Sequence, residues 1–233
     1  MAQPLPNERS LHGETAQTLD RGLQVLDVLA NYPAGLSIND IAQELKLHRT
    51  ITYRLLNTLV VHRLVRRMDD SRYCLGVGLL ELARHVVPRL QSVALPGMKQ
   101  LADELSATAC LTILDGDEGV VLTTIEPRTA PMHIAYRPGY RHPLDKGASG
   151  MAILAGRAPQ PGERREITQA RKRGYATSYN EIQHGASGIA APIQVRGQVA
   201  EASIGVVLLG RIDEAAFAPY IIAAANTIAD ALF

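Results

Sequence analysis

The sequence predicts an α+β protein: an N-terminal winged helix-turn-helix, a connecting helix and a C-terminal region of interleaved strands and helices. Three observations carry this reading. Residues 18–62 show helical spacing of apolar residues in three short segments, followed by a hairpin pattern over 64–75. The window 46–67, KLHRTITYRLLNTLVVHRLVRR, holds six basic residues, two histidines and no acid. From Thr108 onward, short β-prone runs alternate with helical segments. The 233 residues are 46% hydrophobic and 20% charged, enough to fill a core in one large domain or two small ones. Lys and Arg number 24 against 23 Asp and Glu, a net charge of +1 that excludes a histone-like tail and a strongly acidic solvating protein.

Residues 18–31 read as the first helix, with Leu19, Leu23, Leu26 and Ala30 on one face and Val25 and Leu29 beside them. Tyr32-Pro33-Ala34-Gly35 breaks it. Ser37-Ile38-Asn39-Asp40 is a capping box that starts a short second helix with Ile38, Ile41, Ala42 and Leu45 inward. Lys46-Leu47-His48 is a tight turn. Arg49–His62 is the third helix, burying Thr52, Leu55, Leu56 and Leu59 and showing Arg49, Thr50, Tyr53, Arg54 and Asn57 to the outside. Leu64–Met68 and Arg72–Leu75 are the strands of a wing around Asp69-Asp70-Ser71, and Gly76 and Gly78 open the next segment. Residues 79–93 read as an amphipathic helix interrupted by Pro88, and 96–107 as a further helix with Pro96 in its first turn.

The C-terminal pattern continues with a hairpin, 110–114 and 120–125, and a third strand over Met132–Tyr136. A small-residue helix covers Gly147–Gly156, and a charged helix covers Glu163–Arg173 with Gly174 as its stop. Ile189–Val195 and Val199–Leu209 are strands, and Asp213–Phe233 is a closing helix. The tetrapeptide Gly-Ala-Ser-Gly occurs twice, at 147–150 and 185–188. Cys74 and Cys110 have no CxxC partner, which fits free thiols in a reducing cytoplasm and not a cysteine zinc site. No unbroken apolar run reaches about 18 residues, so no membrane span is expected. The polar first 17 residues read as a disordered arm.

This order of elements suits a DNA reader. A groove-reading helix needs donor-rich side chains on its exposed N-terminal half and an apolar opposite face. Arg49 can pair with guanine and Thr50 with a base edge or thymine methyl, with Tyr53 projecting beside them. Arg54, Arg66, Arg67 and Arg72 suit phosphate contacts, which set register without reading sequence. The alternative is a winged-helix module that binds protein partners and not DNA. Steep salt dependence of duplex binding separates the two.

The pieces LDRGLQVLD, LSINDIAQEL, TYRLLNTL and RYCLGVGLLELA resemble the N-terminal domain of IclR-type bacterial transcriptional regulators. The likeness continues through HPLDKGASGMAILAG, RKRGYATSYNEI and SGIAAPIQVRGQVAEASIGV, so it spans about residues 18–233. It implies a winged helix-turn-helix over 18–76, a linker helix over 77–94 and a GAF-like effector-binding domain over 95–233. It further implies assembly as a homodimer or homotetramer and binding to a pseudo-palindromic double-stranded DNA operator under control of a small-molecule effector. Lys46 and His48 stand where the family often has Gly and Pro, Ile51 stands where a hydroxyl is common, and the 156–163 connection is short.

The resemblance places the effector in a cleft of the C-terminal domain, where carboxylate effectors are common in the family. Ala148 and Ser149 then open the pocket helix, whose amides and dipole favour an anion. Ser178 and Gly188 match polar or small pocket positions, Ser203 and Gly205 a floor strand, and Pro131, Ile134 and His142 an apolar wall. Gly188 and Gly205 imply either a roomier cavity for an aromatic or longer acid, or simply close strand packing. An enzyme is not expected. Both Gly-Ala-Ser-Gly copies fail the G-x-S-x-G rule, and no sequence feature brings His142 or His184 to Ser149. No cofactor is implied. His133, His142 and His184 with Asp145 or Glu181 lack metal-ligand spacing.

Overall fold

The computed structural model describes residues 15–128, 134 and 136–233. The chain divides into two compact units, one ending at Val87 and one starting at Pro88.

The N-terminal unit holds α1 (Gln17–Ala30), α2 (Ile38–Glu44), α3 (Arg49–Val61), the antiparallel pair β1 (Val65–Arg67) and β2 (Tyr73–Leu75), and α4 (Gly78–Ala83). Its core joins Val25, Leu29, Ile41, Leu55, Leu56, Leu59, Val65 and Tyr73. The first helix is rotated from the expected face. Leu19 and Leu23 are 64% and 50% exposed, while Gly22, Val25 and Leu29 are buried, because α3 packs closely at Gly22. The capping box forms as read: Ser37 Oγ accepts from the Asp40 amide and the Asp40 carboxylate accepts from the Ser37 amide. The Ser37 hydroxyl also holds the Asp40 carboxyl below its ordinary pKa. In the turn before α3, Lys46 has φ 51°, a left-handed conformation that glycine adopts without strain. Gly76 and Gly78 pass tightly over the Arg63 carbonyl, to which the Gly78 amide donates at 2.9 Å.

The interrupted helix expected over 79–93 is two separate helices. α4 ends at Ala83, and α5 (Pro88–Leu105) starts at Pro88. Proline suits a first helical position, where its missing amide costs nothing. Pro96, expected to open its own helix, lies inside α5. The linker expected over 77–94 is therefore divided at Pro88, and its second part belongs to the C-terminal unit.

That unit is built on a six-stranded antiparallel sheet in the order β5-β4-β3-β8-β7-β6. Its elements are β3 (Thr108–Asp115), β4 (Glu118–Ile125), β5 (Arg141–Pro143), α6 (Gly147–Ala155), α7 (Arg165–Arg173), β6 (Ala176–Tyr179), β7 (Ala186–Ile193), β8 (Ala202–Leu209) and α8 (Glu214–Leu232). Strands β5 and β6 have no counterpart in the sequence reading, being short edge strands with weak alternation. The expected strand at 132–136 falls mainly on residues outside the described set, as does Pro131, and the described Ile134 and Tyr136 belong to no strand.

One sheet face packs Ala109, Leu111, Ile189, Ala191, Ile204 and Val206 against α5 and α8. The other meets α6 and α7. α8 is long and apolar enough to cross a membrane by composition, but Ala218, Ile221, Ala225, Ile228 and Ala229 are buried at helical spacing against the sheet and α5. Asp213 caps it through the Ala215 and Ala216 amides. Arg171 bridges α7 to the preceding loop, holding both oxygens of Glu163 and donating to the Leu154 and Arg157 carbonyls.

Candidate functional site

The N-terminal unit presents an exposed, donor-rich surface. Arg49, Thr50, Tyr53 and Arg54 on α3 are all exposed, and Thr52 on its opposite face is fully buried. Arg49, Thr50 and Tyr53 border one shallow groove with Ile38, Arg67, Ser71 and Tyr73. The wing thus brings Arg67 alongside the N-terminal half of α3. Arg67 donates to Ser71 Oγ at 2.9 Å, which fixes it near the wing tip. Arg72 is tied back to Asp70 at 3.4 Å, while the Asp70 carboxylate also accepts from the Arg72 amide. Arg66 pairs with Cys74 in the ladder, and alternation along a strand turns its side chain to the face opposite Arg67. Of the seven residues singled out in this unit, the groove unites Arg49, Thr50, Tyr53 and Arg67.

The C-terminal unit holds a cleft over the sheet at the start of α6. Ala148, Ser149, Ser178, Gly188 and His142 line it. The first turn of α6 is already served by side chains. The Gly147 amide donates to Glu181 at 2.8 Å, and the Ala148 amide to Ser178 Oγ at 2.9 Å. Glu181 is itself held by Arg164 at 2.8 and 3.2 Å, so its charge is compensated beside the helix dipole. Ser149 follows in the same turn. Both Gly-Ala-Ser-Gly copies meet here: Gly147–Ser149 and Ala186–Gly188 all border the cleft, and a Cβ on Gly188 would lie 3.3 Å from Ala148 Cβ and 3.2 Å from Ser178 Oγ.

Three expected lining residues, Ser203, Gly205 and Ile134, are not among those that line it. Ser203 is buried beneath α6, donating to the Ser149 carbonyl at 2.9 Å. Gly205 pairs with Ala190 on the neighbouring strand β7, and a Cβ there would lie 2.6 Å from Ala190 Cβ and 2.7 Å from Ala190 Cα. The close-packing reading therefore holds for Gly205, while Gly188 does border the cleft. Ile134 sits behind the wall, in a buried cluster with Cys110, Ala186 and Val207, all three of which line the cleft.

Sequence reasoning missed Thr112, Tyr136, Tyr140 and Glu181. Thr112 shares a strand face with Cys110, so parity along β3 carries that signal. The tyrosine pair, stacked with ring centroids 5.1 Å apart, is legible only in three dimensions. Burial pushes the Cys110 thiol up to about 12, which makes it a neutral wall group and not a nucleophile. Burial, then the neighbouring Cys110 and Tyr140, pushes Tyr136 up to about 12 as well. Ser187 Oγ donates to the Gly210 carbonyl, and among the described residues no three His, Cys, Asp or Glu side chains gather as a metal site. His133 lies outside the described residues.

Comparison with known proteins agrees with both units. Residues 18–69 match the family model "IclR helix-turn-helix domain", and residues 86–165 match "Bacterial transcriptional regulator IclR C-terminal". The chain is similar to the HTH-type transcriptional regulator XynR of Escherichia coli, 29% identical over 231 residues, covering 88% of this chain and 91% of the relative. Its fold resembles that of an IclR homolog from Microbacterium hydrocarbonoxydans, crystallised with 4-hydroxybenzoate (TM-score 0.81, 25% identity, 92% of this chain and 98% of that one). It also resembles the Thermotoga maritima IclR (TM-score 0.75, 23% identity, 94% and 99%).

Proposed function

Because the chain belongs to the IclR family of bacterial transcriptional regulators, with a DNA-binding helix-turn-helix and a C-terminal ligand-binding domain, we propose that it is a cytoplasmic one-component regulator whose affinity for a pseudo-palindromic operator is set by a small organic ligand. The observation that carries this is the single groove bordered by Arg49, Thr50, Tyr53 and Arg67. Arg49 and Thr50 read base edges, Tyr53 flanks them, and Arg54, Arg66, Arg67 and Arg72 neutralise phosphates. One winged module covers only about 600–1,000 Å² of DNA, so selective binding calls for two copies. The 77–87 segment supplies an apolar surface for such pairing, with Leu80 71% and Leu82 62% exposed beside Val86 and Val87.

The ligand belongs in the cleft of the C-terminal unit. Ala148, Ser149, Ser178 and Gly188 form its polar end, with the Ser149 amide and the Ser178 hydroxyl serving an acceptor group, and His142 belongs to the remaining wall, with Ile134 behind it. Glu181 already occupies the first amide of α6, so the ligand's acidic group sits deeper in the turn, towards Ser149. The related regulator crystallised with 4-hydroxybenzoate supports a small aromatic carboxylate.

The experiment is selection of duplexes from a random pool by the purified chain, followed by titration of the selected duplex at rising salt. An inverted repeat bound by two chains, with steep loss of affinity in salt, is the expected result. Equal retention of all sequences contradicts the proposal and favours a protein-interaction module.

A further inference from the structure

The cleft contains a polar group that the fold leaves unserved. Thr112 is 0% exposed and lines the cleft, and its hydroxyl has no hydrogen-bond partner among the described residues. A buried hydroxyl in this state costs stability, so its presence in a cavity wall points to a partner that arrives from outside the chain.

The surrounding backbone sets Thr112 in the cleft wall. Strands β3 and β4 slip register between Leu111 and Thr112: Leu111 opposes Thr123, but Thr112 opposes Val121. The extra residue, Leu122, packs with the opposite face, which turns Val121 and Gly119 to the side of Thr112. Gly119 in turn pairs with His142 across β4 and β5. A methyl built on Gly119 would lie 2.8 Å from His142 Cε1, 3.0 Å from its Nε2 and 3.2 Å from Thr112 Cγ2. The absence of that methyl leaves room for the imidazole over Gly119, next to the Thr112 methyl.

The histidine has a defined polarity. Its Nδ1 lies 3.0 Å from the Pro143 carbonyl, which only accepts, so Nδ1 donates there, and in that tautomer Nε2 is an acceptor. Thr112 supplies a hydroxyl that donates. A ligand hydroxyl matches the chemistry of both, able to accept from Thr112 and to donate to His142. A bare C–H leaves both unpaired, and a carboxylate opposes the Nε2 lone pair.

Resting on the ligand-binding reading of the cleft, we propose that Thr112 and His142 form a second polar subsite, on the β5 side of the sheet, that selects ligands carrying a hydroxyl remote from their acidic group. The ligand class is thereby narrowed to hydroxylated organic acids, with the ring or chain between the two polar ends lying along Cys110, Val121 and Val207.

Calorimetric titration with two matched pairs tests this: benzoate against 4-hydroxybenzoate, and phenylacetate against 4-hydroxyphenylacetate. They are titrated into the wild-type chain, Thr112→Val and Thr112→Ser. The wild type should prefer the hydroxylated member of at least one pair by about tenfold, the scale of one buried hydrogen bond. Thr112→Val should erase that preference and Thr112→Ser should restore it. The ligand-free melting temperature of Thr112→Val should stay level or rise, because an unpaired buried hydroxyl has been removed, which also verifies that the variant folds. Equal binding of both members to the wild type, or a preference that survives in Thr112→Val, overturns the subsite while leaving the ligand reading intact. If no acid binds the wild type, the ligand reading of the cleft falls, and the subsite falls with it.

Discussion

The groove between α3 and the wing and the cleft of the C-terminal unit are built in opposite ways. The groove draws on residues 38–73, one continuous stretch in which α3 and the wing follow one another directly. The cleft draws on residues from Cys110 to Val207, carried by strands and helices far apart in the chain. A surface for a large polyanion needs exposed donors on one rigid element, and local helical periodicity supplies them. A concave site needs walls from several elements held at fixed distances, and only the sheet register supplies those. The first is tolerant of its core and exacting about its charges. The second is exacting about small residues at strand crossings.

That contrast predicts where damage is greatest. Gly205→Leu drives a side chain into Ala190 on the neighbouring strand, so it should destabilise the C-terminal unit by about 3 kcal/mol or more, measured by urea unfolding. A well-folded variant that merely loses ligand binding would restore Gly205 to the cavity wall. On the groove side, Arg49→Ala should leave stability unchanged but cost about 1–3 kcal/mol of operator affinity and relax one base preference per half-site. Arg67→Ala should weaken selected and random duplexes alike. Identical profiles for the two variants would remove the division between reading and clamping.

A third effect varies with pH. Hydrogen bonding to Arg171 holds the Glu163 carboxyl at about 2, below its ordinary 4.5. A depressed carboxyl stabilises the fold fully above about 4.5 and loses that contribution as pH falls towards 2. Glu163→Gln should therefore be less stable at neutral pH and should flatten the pH dependence of unfolding between those limits. An unchanged slope would mean that the Arg171 bridge contributes nothing there. The smallest effect belongs to the turn before α3. Lys46→Gly should relieve a left-handed lysine and stabilise the N-terminal unit by about 1 kcal/mol, without altering which duplex is selected.

The same contrast explains what was legible beforehand. Helical spacing located α2 and α3, and the Ser37–Asp40 capping box formed as read. Charge placement singled out Arg49 and Arg67, and the structure sets both on one groove. Pro88 and Pro96 misled because proline marks a helix start and a helix interruption with the same letter, and only packing of Ala94, Met98 and Leu101 against α8 makes α5 continuous through Pro96. In the cleft, motif matching reached the α6 turn, Ser178 and Gly188. It could not separate Gly188 from Gly205, since the difference lies in which strand crosses each one. Thr112 and Gly119 depend on a bulge at Leu122, and nothing in an apolar β run announces a register slip.

The central claim is that ligand in the cleft changes affinity at the groove. The direct measurement is fluorescence anisotropy of the selected duplex titrated with the full chain, with and without saturating amounts of the tightest-binding acid from the calorimetric panel. The account predicts at least about a thousandfold preference for the selected over a scrambled duplex. It also predicts that the acid shifts the selected-duplex affinity by at least about fivefold. Superimposable curves with and without the acid, at concentrations where calorimetry shows it bound, would contradict the claim.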